Sequence, residues 1–141
     1  MPDRMNIAYK TDVTLTVEQF IDILSRTSLG PRRPLDDRAC MEAMVNNANL
    51  VATAWDGELL VGVARCVTDF AYACYMSELV VDQNYQRRGI GKELIRHARA
   101  RLGPHCRLRL LAAPDAADYY AHIGFAHTTR CWELTPGNEL K

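Results

Sequence analysis

The sequence predicts an α+β domain with a mixed, mainly antiparallel central sheet flanked by helices, in the order βααβββαβαβ. Three observations carry that prediction. Two apolar runs, Leu50 to Trp55 and Glu58 to Val67, flank Asp56-Gly57, a dipeptide whose tolerance of positive φ suits a tight hairpin. Thr16-x-x-Gln19 forms a capping box, and Val17, Phe20, Ile21 and Leu24 follow it at the spacing of one buried helical face. Leu79-Val80-Val81 then runs through a glycine-containing segment into a strongly amphipathic stretch, which reads as a strand, a loop and a helix.

Taken in order, Met5 to Lys10 is a short strand and the helix that Thr16 caps is the first of two. The prolines of Gly30-Pro31-Arg32-Arg33-Pro34 stop helix, and Asp36 or Asp37 caps a second one reaching about Asn46. The hairpin follows. Tyr72 to Val81 is the next strand, expected to be central because its end is continuously apolar. Ile90, Leu94, Ala98 and Leu102 recur every four residues with Ile95 beside them, a helix that Gly103-Pro104 terminates. Arg107 to Leu111 alternates Arg and Leu as a strand with one solvated face, and Ala116 to His122 is a short helix closed by Gly124. Phe125 to Leu134 is expected as the last strand, and Pro136 to Lys141 as a polar tail.

A chain of 141 residues, 48% hydrophobic and 24% charged, has the size of one domain spanning 1–141. Seventeen Lys and Arg balance seventeen Asp and Glu, so no global field attracts nucleic acid or an anionic membrane. The N-terminus lacks the pattern of a signal peptide and no apolar run is long enough to span a bilayer, so a cytoplasmic location is expected. Cys40, Cys66, Cys74, Cys106 and Cys131 show neither C-x-x-C nor zinc-finger spacing, and are expected as reduced, buried thiols without metal.

Any anion site must therefore be local, and the segment Gln86-Arg87-Arg88-Gly89-Ile90-Gly91-Lys92 supplies one. Glycines let the backbone approach a ligand, and the free N–H groups at a helix start favour phosphate oxygens. A P-loop is excluded, because Gln86 stands where its first Gly should be and Glu93 where Ser or Thr should follow Lys92. A dinucleotide fingerprint is excluded as well, with Leu94 at its third Gly and apolar Leu110 and Leu111 where an acidic residue belongs.

Gln86-Arg87-Arg88-Gly89-Ile90-Gly91 does meet [RQ]-x-x-G-x-[GA], the coenzyme A signature of the GCN5-related N-acetyltransferases, which the chain resembles over nearly its whole length. Leu79-Val80-Val81 matches that family's Leu-x-Val strand end, Ile90 and Leu94 its next buried positions, and Tyr119-Tyr120-Ala121-His122-Ile123-Gly124-Phe125 its F-Y-x-x-x-G-F. Gln83 departs from the Pro that many relatives carry two residues after the strand. The resemblance implies acetyl-CoA as co-substrate and no metal. Backbone groups of Leu79, Val80 and Val81 would pair with the pantetheine arm, and the segment Gln86, Arg87, Arg88, Gly89, Ile90, Gly91 and Lys92 would hold the pyrophosphate.

Acetyl transfer to an amine needs a base near the amine and an acid near the sulfur. The resemblance gives the acid role to Tyr120, with Tyr119 beside it in the motif. Glu78, an acidic residue inside an apolar strand, is a candidate base or amine holder, or else a paired carboxylate at the sheet rim. Asp69 and Tyr72 are further candidates on the amine side. The implied acceptor pocket is bounded by Ser25 to Asp37, where Arg32 and Arg33 would favour a carboxylate-bearing acceptor. Ala113-Pro114 through Tyr120 resembles a subgroup acting on small amines, including arylalkylamines. A small-molecule amine is therefore the expected partner, with no nucleic acid, no membrane and a homodimer left open. The alternatives are a non-catalytic acetyl-CoA sensor and a protein or peptide N-acetyltransferase.

Overall fold

The protein is described by a computed structural model covering residues 6–141. Strand β1, Ile7–Lys10, begins just past the expected Met5, which lies outside the described residues. Helix α1, Val17–Ser25, starts at the foreseen capping box. The Thr16 hydroxyl accepts the Gln19 N–H at 3.1 Å, and the Gln19 side chain accepts the Thr16 N–H at 2.9 Å. Its buried face is Phe20, Ile23 and Leu24, while Val17 and Ile21 pack at the margin. Helix α2, Arg38–Asn47, is capped by Asp37, whose carboxylate accepts the Cys40 N–H.

Strands β2, Leu50–Asp56, and β3, Leu59–Thr68, form the antiparallel hairpin, and the loop is Gly57-Glu58, one residue later than expected. Gly57 takes φ +61°, the positive φ a two-residue hairpin loop requires. Strand β4, Ala73–Val81, pairs antiparallel with β3, and helix α3, Ile90–Arg99, follows. Strand β5, Arg107–Arg109, pairs parallel with β4, which completes the sheet order β1-β2-β3-β4-β5.

The two faces of this sheet are filled differently. Leu60, Val63 and Val80 meet Leu15, Phe20, Ile23, Leu24 and Met41 in one core cluster. On the opposite face α3 lies so close that a Cβ on Gly62 would stand 2.9 Å from Leu94 Cδ1 and 3.3 Å from Ile90 Cγ2. A side chain at 62 would push α3 away from the sheet. The most deeply buried strand is β3, the middle one, rather than β4; along β4, buried and partly exposed residues alternate, so only one face is fully covered.

The chain divides into two compact units, up to Leu111 and from Ala112 to Lys141. In the second, a single 3-10 turn, Pro114–Ala116, leads into helix α4, Ala117–His122. Gly124 takes φ +108° past its end, and the Phe125 N–H returns to the Tyr120 carbonyl at 2.9 Å. The last strand expected over 125–134 is not formed. A strand needs cross-strand partners and a covered face. Here Phe125 alone in that stretch is part-buried, Trp132 is 93% exposed, and the Arg130 N–H turns to the Thr128 hydroxyl. The thiol expectation is corrected too: Cys66 and Cys74 are buried, Cys40 and Cys106 partly, and Cys131 is exposed.

Candidate functional site

The site begins where β4 loses a neighbour. Strand β5 pairs only with Ala73, Cys74 and Tyr75, so the ladder on that side stops six residues before the end of β4 at Val81. Arg107-Leu108-Arg109 is too short to follow it further. Leu79, Val80 and Val81 keep their partners on β3, Ala64, Val63 and Gly62. Among the described residues their opposite backbone edge has no ladder partner, an arrangement that can accept an extended chain as an added strand.

Beyond Val81 the backbone turns sharply. Asp82 caps a 3-10 turn, Gln83–Tyr85, its carboxylate accepting the Asn84 N–H at 2.8 Å. Arg87 at φ +64° and Gly89 at φ +78° then fold the chain into α3. Nothing lies within 4 Å of a Cβ built on Gly89, so glycine serves there for its left-handed conformation and not for space. The Glu93 N–H reaches the Gly89 carbonyl as the first bond of the helix. The N–H groups of Ile90, Gly91 and Lys92 precede that bond and have no intrahelical acceptor. Buried Ile90 and Leu94 anchor the helix while Gln86, Arg87, Arg88, Gly89 and Lys92 remain exposed. An anion finds three amides, the positive end of a helix and cationic side chains together.

Four contacts brace this loop. The Gln86 side-chain amide donates to the Val81 carbonyl at 3.4 Å. The Tyr85 hydroxyl donates to Asp56 at 2.6 Å, which raises its pKa, and the Arg88 guanidinium lies 5.4 Å from the centre of the Tyr85 ring. At its start, Arg26 from the end of α1 pairs with buried Asp82.

Glu78 lies one residue before Leu79 and is 1% exposed. Arg33 Nε donates to Glu78 Oε2 at 2.7 Å, the Ser77 hydroxyl donates to the same oxygen at 3.0 Å, and Arg65 Nε donates to Oε1. Arg65 also donates to the Met44 carbonyl, and Arg33 to the Ser77 carbonyl, both at 2.9 Å. This buried network ties β3, β4, α2 and the α1–α2 connection. Both carboxylate oxygens are engaged by cations, so the carboxylate is held as an ion-paired anchor. Arg33, read from sequence as an acceptor-loop cation, faces inward, whereas Arg32 is exposed.

Asp69 accepts the N–H groups of Ala71, Tyr72 and Ala73 at 2.9, 2.7 and 3.0 Å, which lowers its pKa and fixes the β3–β4 turn. In the second unit, the Tyr120 ring meets Tyr119 and Phe125 edge to face, at 5.3 and 5.4 Å. Burial, with a contribution from Tyr119, pushes the Tyr120 phenol up, so it stays protonated at neutral pH. Tyr119 is pushed up by burial as well.

Sequence reasoning missed Arg26, Arg65 and Asp82 as site-building residues. For Arg65 a signal existed: it is the lone charge in the apolar run of β3, as Glu78 is in β4, and hairpin pairing sets the two opposite one another. Asp82 was readable only as a turn former, and Arg26 only as the end of a helix.

The opened strand edge and the helix start that follows it belong to an α+β domain with a mixed, mainly antiparallel sheet. The model of the Acetyltransferase (GNAT) domain matches residues 32–133, and the chain belongs to that family. It is 27% identical to a Glycine max protein described as a probable acetyltransferase, TAP2, over 89% of this chain, and it spans 59% of that relative's length. A GNAT-family acetyltransferase from Streptococcus pneumoniae superposes with TM-score 0.74 at 21% identity, over 95% of this chain and 99% of that one. An aminoglycoside N-acetyltransferase, AAC(6')-Iy, solved in complex with CoA, superposes with TM-score 0.70 at 16% identity, over 98% of this chain and 99% of that one. Among the described residues no helix is long and apolar enough to cross a membrane, and no group of three His, Cys, Asp or Glu is placed for a metal.

Proposed function

We propose that the protein is an acetyl-CoA-dependent N-acetyltransferase that acetylates the primary amine of a small molecule by direct attack. The observation that carries this reading is the edge of Leu79–Val81, without a ladder partner among the described residues, followed after one turn and loop by the helix-start amides of Ile90, Gly91 and Lys92. That juxtaposition fits a long ligand with an extended amide-bearing arm and a pyrophosphate at its far end. Leu79, Val80 and Val81 hold the arm, and the loop from Gln86 to Lys92 holds the pyrophosphate, mainly through backbone N–H groups. Acetyl-CoA, when bound, supplies the activated acetyl group as a thioester.

Tyr120 holds the proton that the departing sulfur takes, a role supported by its place in the matched aromatic motif and by its raised pKa. The attacking nitrogen loses its own proton to solvent or to a basic group of the acceptor site. Glu78 serves this chemistry as an anchor: its carboxylate fixes Arg33 and Arg65 beneath the acceptor side of β4 while both of them hold it. The small-amine reading is supported by the aminoglycoside acetyltransferases among the structural neighbours.

A panel of primary amines assayed by thiol release from acetyl-CoA tests the proposal. Turnover of at least one small amine is expected, and Tyr120→Phe should lower its kcat about a hundredfold, the usual scale of a lost general acid. Turnover confined to peptide amines would replace the substrate class. An unchanged kcat in Tyr120→Phe would remove the acid assignment.

A further inference from the structure

One residue, Arg26, ties the proposed coenzyme loop to the start of the α1–α2 connection, through its side chain and its carbonyl. Arg26, at the end of α1, sends NH1 to the Asp82 carboxylate and NH2 to both the Leu60 carbonyl at 2.9 Å and Asp22 at 3.0 Å. Its own carbonyl accepts the Gln83 N–H at 3.2 Å. Asp82 in turn donates its N–H to the Val61 carbonyl at 2.8 Å and accepts the N–H groups of Asn84 and Tyr85. Asp82 has a side chain 5% exposed, so its charge is compensated chiefly by Arg26. The Gln83 contact also gives a use to this chain's departure from the common proline, because proline has no N–H to donate there.

Arg26 stands immediately before the α1–α2 connection, whose own bonds are short-range turns such as Gly30 N–H to Thr27 and Arg33 N–H to Gly30. That connection also carries Arg33 to Glu78, next to Leu79. A shift of the loop at Asp82–Gln83 therefore reaches the start of the connection, which Arg33 pins to β4 further on. We propose that Arg26 is a positioning residue coupling the coenzyme loop to residues 26–37, so that occupation of the loop by coenzyme A orders the connection that borders the acceptor. This rests on the coenzyme reading of the loop, and it needs no contact between coenzyme A and residues 26–37.

Hydrogen exchange of the full chain with and without coenzyme A itself tests this, since it needs neither acceptor nor turnover. In the wild type, coenzyme A is expected to slow exchange over residues 82–92 and also over 26–37, the latter about fivefold, the low end of ordinary coupling between sites. Arg26→Gln and the near-isosteric Asp82→Asn should keep the slowing over 82–92, with coenzyme affinity down about fivefold, and lose it over 26–37. Arg26→Lys, which keeps a cation opposite Asp82, should recover part of it. Slowing over 82–92 alone in the wild type would overturn the coupling and leave the coenzyme site standing, and so would unchanged protection of 26–37 in Arg26→Gln or Asp82→Asn. Absence of any effect over 82–92 would remove the coenzyme reading and the coupling together.

Discussion

A buried ion pair, Arg65 with Glu78, and a part-buried one, Arg26 with Asp82, hold the strand end and the loop on which the proposed function rests. Their value lies less in net attraction than in the penalty of losing a partner, since a buried guanidinium without its counter-ion costs about 3–5 kcal/mol. Glu78→Gln leaves Arg33 and Arg65 without their carboxylate, so chemical denaturation should report a loss of about 3 kcal/mol. An unfolding midpoint left unmoved would show that Glu78 is available for another role. At Tyr120 the raised phenol pKa sets the sign of a pH effect: as the proposed acid it would work only while protonated, so its loss belongs above the ordinary tyrosine pKa of 10. The kcat profile is expected to show no basic limb assignable to Tyr120 through neutral pH. A limb below pH 10 that disappears in Tyr120→Phe would contradict the shift.

Among the elements, α3 carries the site because a left-handed residue starts it and an apolar face fixes it. Gly89→Ala would place a Cβ on a backbone at φ +78°, at about 1–2 kcal/mol. Because nothing crowds that Cβ, the cost is conformational; a weakened acetyl-CoA affinity with the helix still formed is expected from titration calorimetry. Unchanged affinity would place the pyrophosphate elsewhere. The capping boxes, glycine stops and apolar periods that mark α1, α2 and α3 are local signals, so these helices were legible to within a few residues. After α3, the fifth strand was legible in position but not in length, and the sixth strand expected is absent. Arg107 to Leu111 carries an alternation longer than the three residues that pair, because a strand's length is set by its neighbour's reach as well as by its own pattern. Phe125 to Leu134 has strand-forming residues and no partner, a fact that no local pattern encodes.

For the whole molecule, the first five of the six expected strands and the helices on the two faces of their sheet were legible because apolar periods, helix caps and turn dipeptides all pointed to one order of elements. The turn from Gln86 into the start of α3, to which the coenzyme role is proposed, was legible because its conformation is made by residues adjacent in sequence. The braces were not, because Arg26 with Asp82 and Arg33 with Glu78 join residues 56 and 45 positions apart. Such contacts follow from the fold and not from spacing. On the proposed function, the end of β4 and the start of α3 make an acetyl-CoA site. Thermal unfolding of the full chain with and without acetyl-CoA tests it most directly, with ATP and NAD as controls. At about a hundred times its dissociation constant, a ligand adds about 2.7 kcal/mol to stability, which raises Tm by several degrees in a domain of this size. A rise with acetyl-CoA and none with ATP or NAD is the expected result; no rise with acetyl-CoA, or an equal rise with ATP or NAD, would contradict the account.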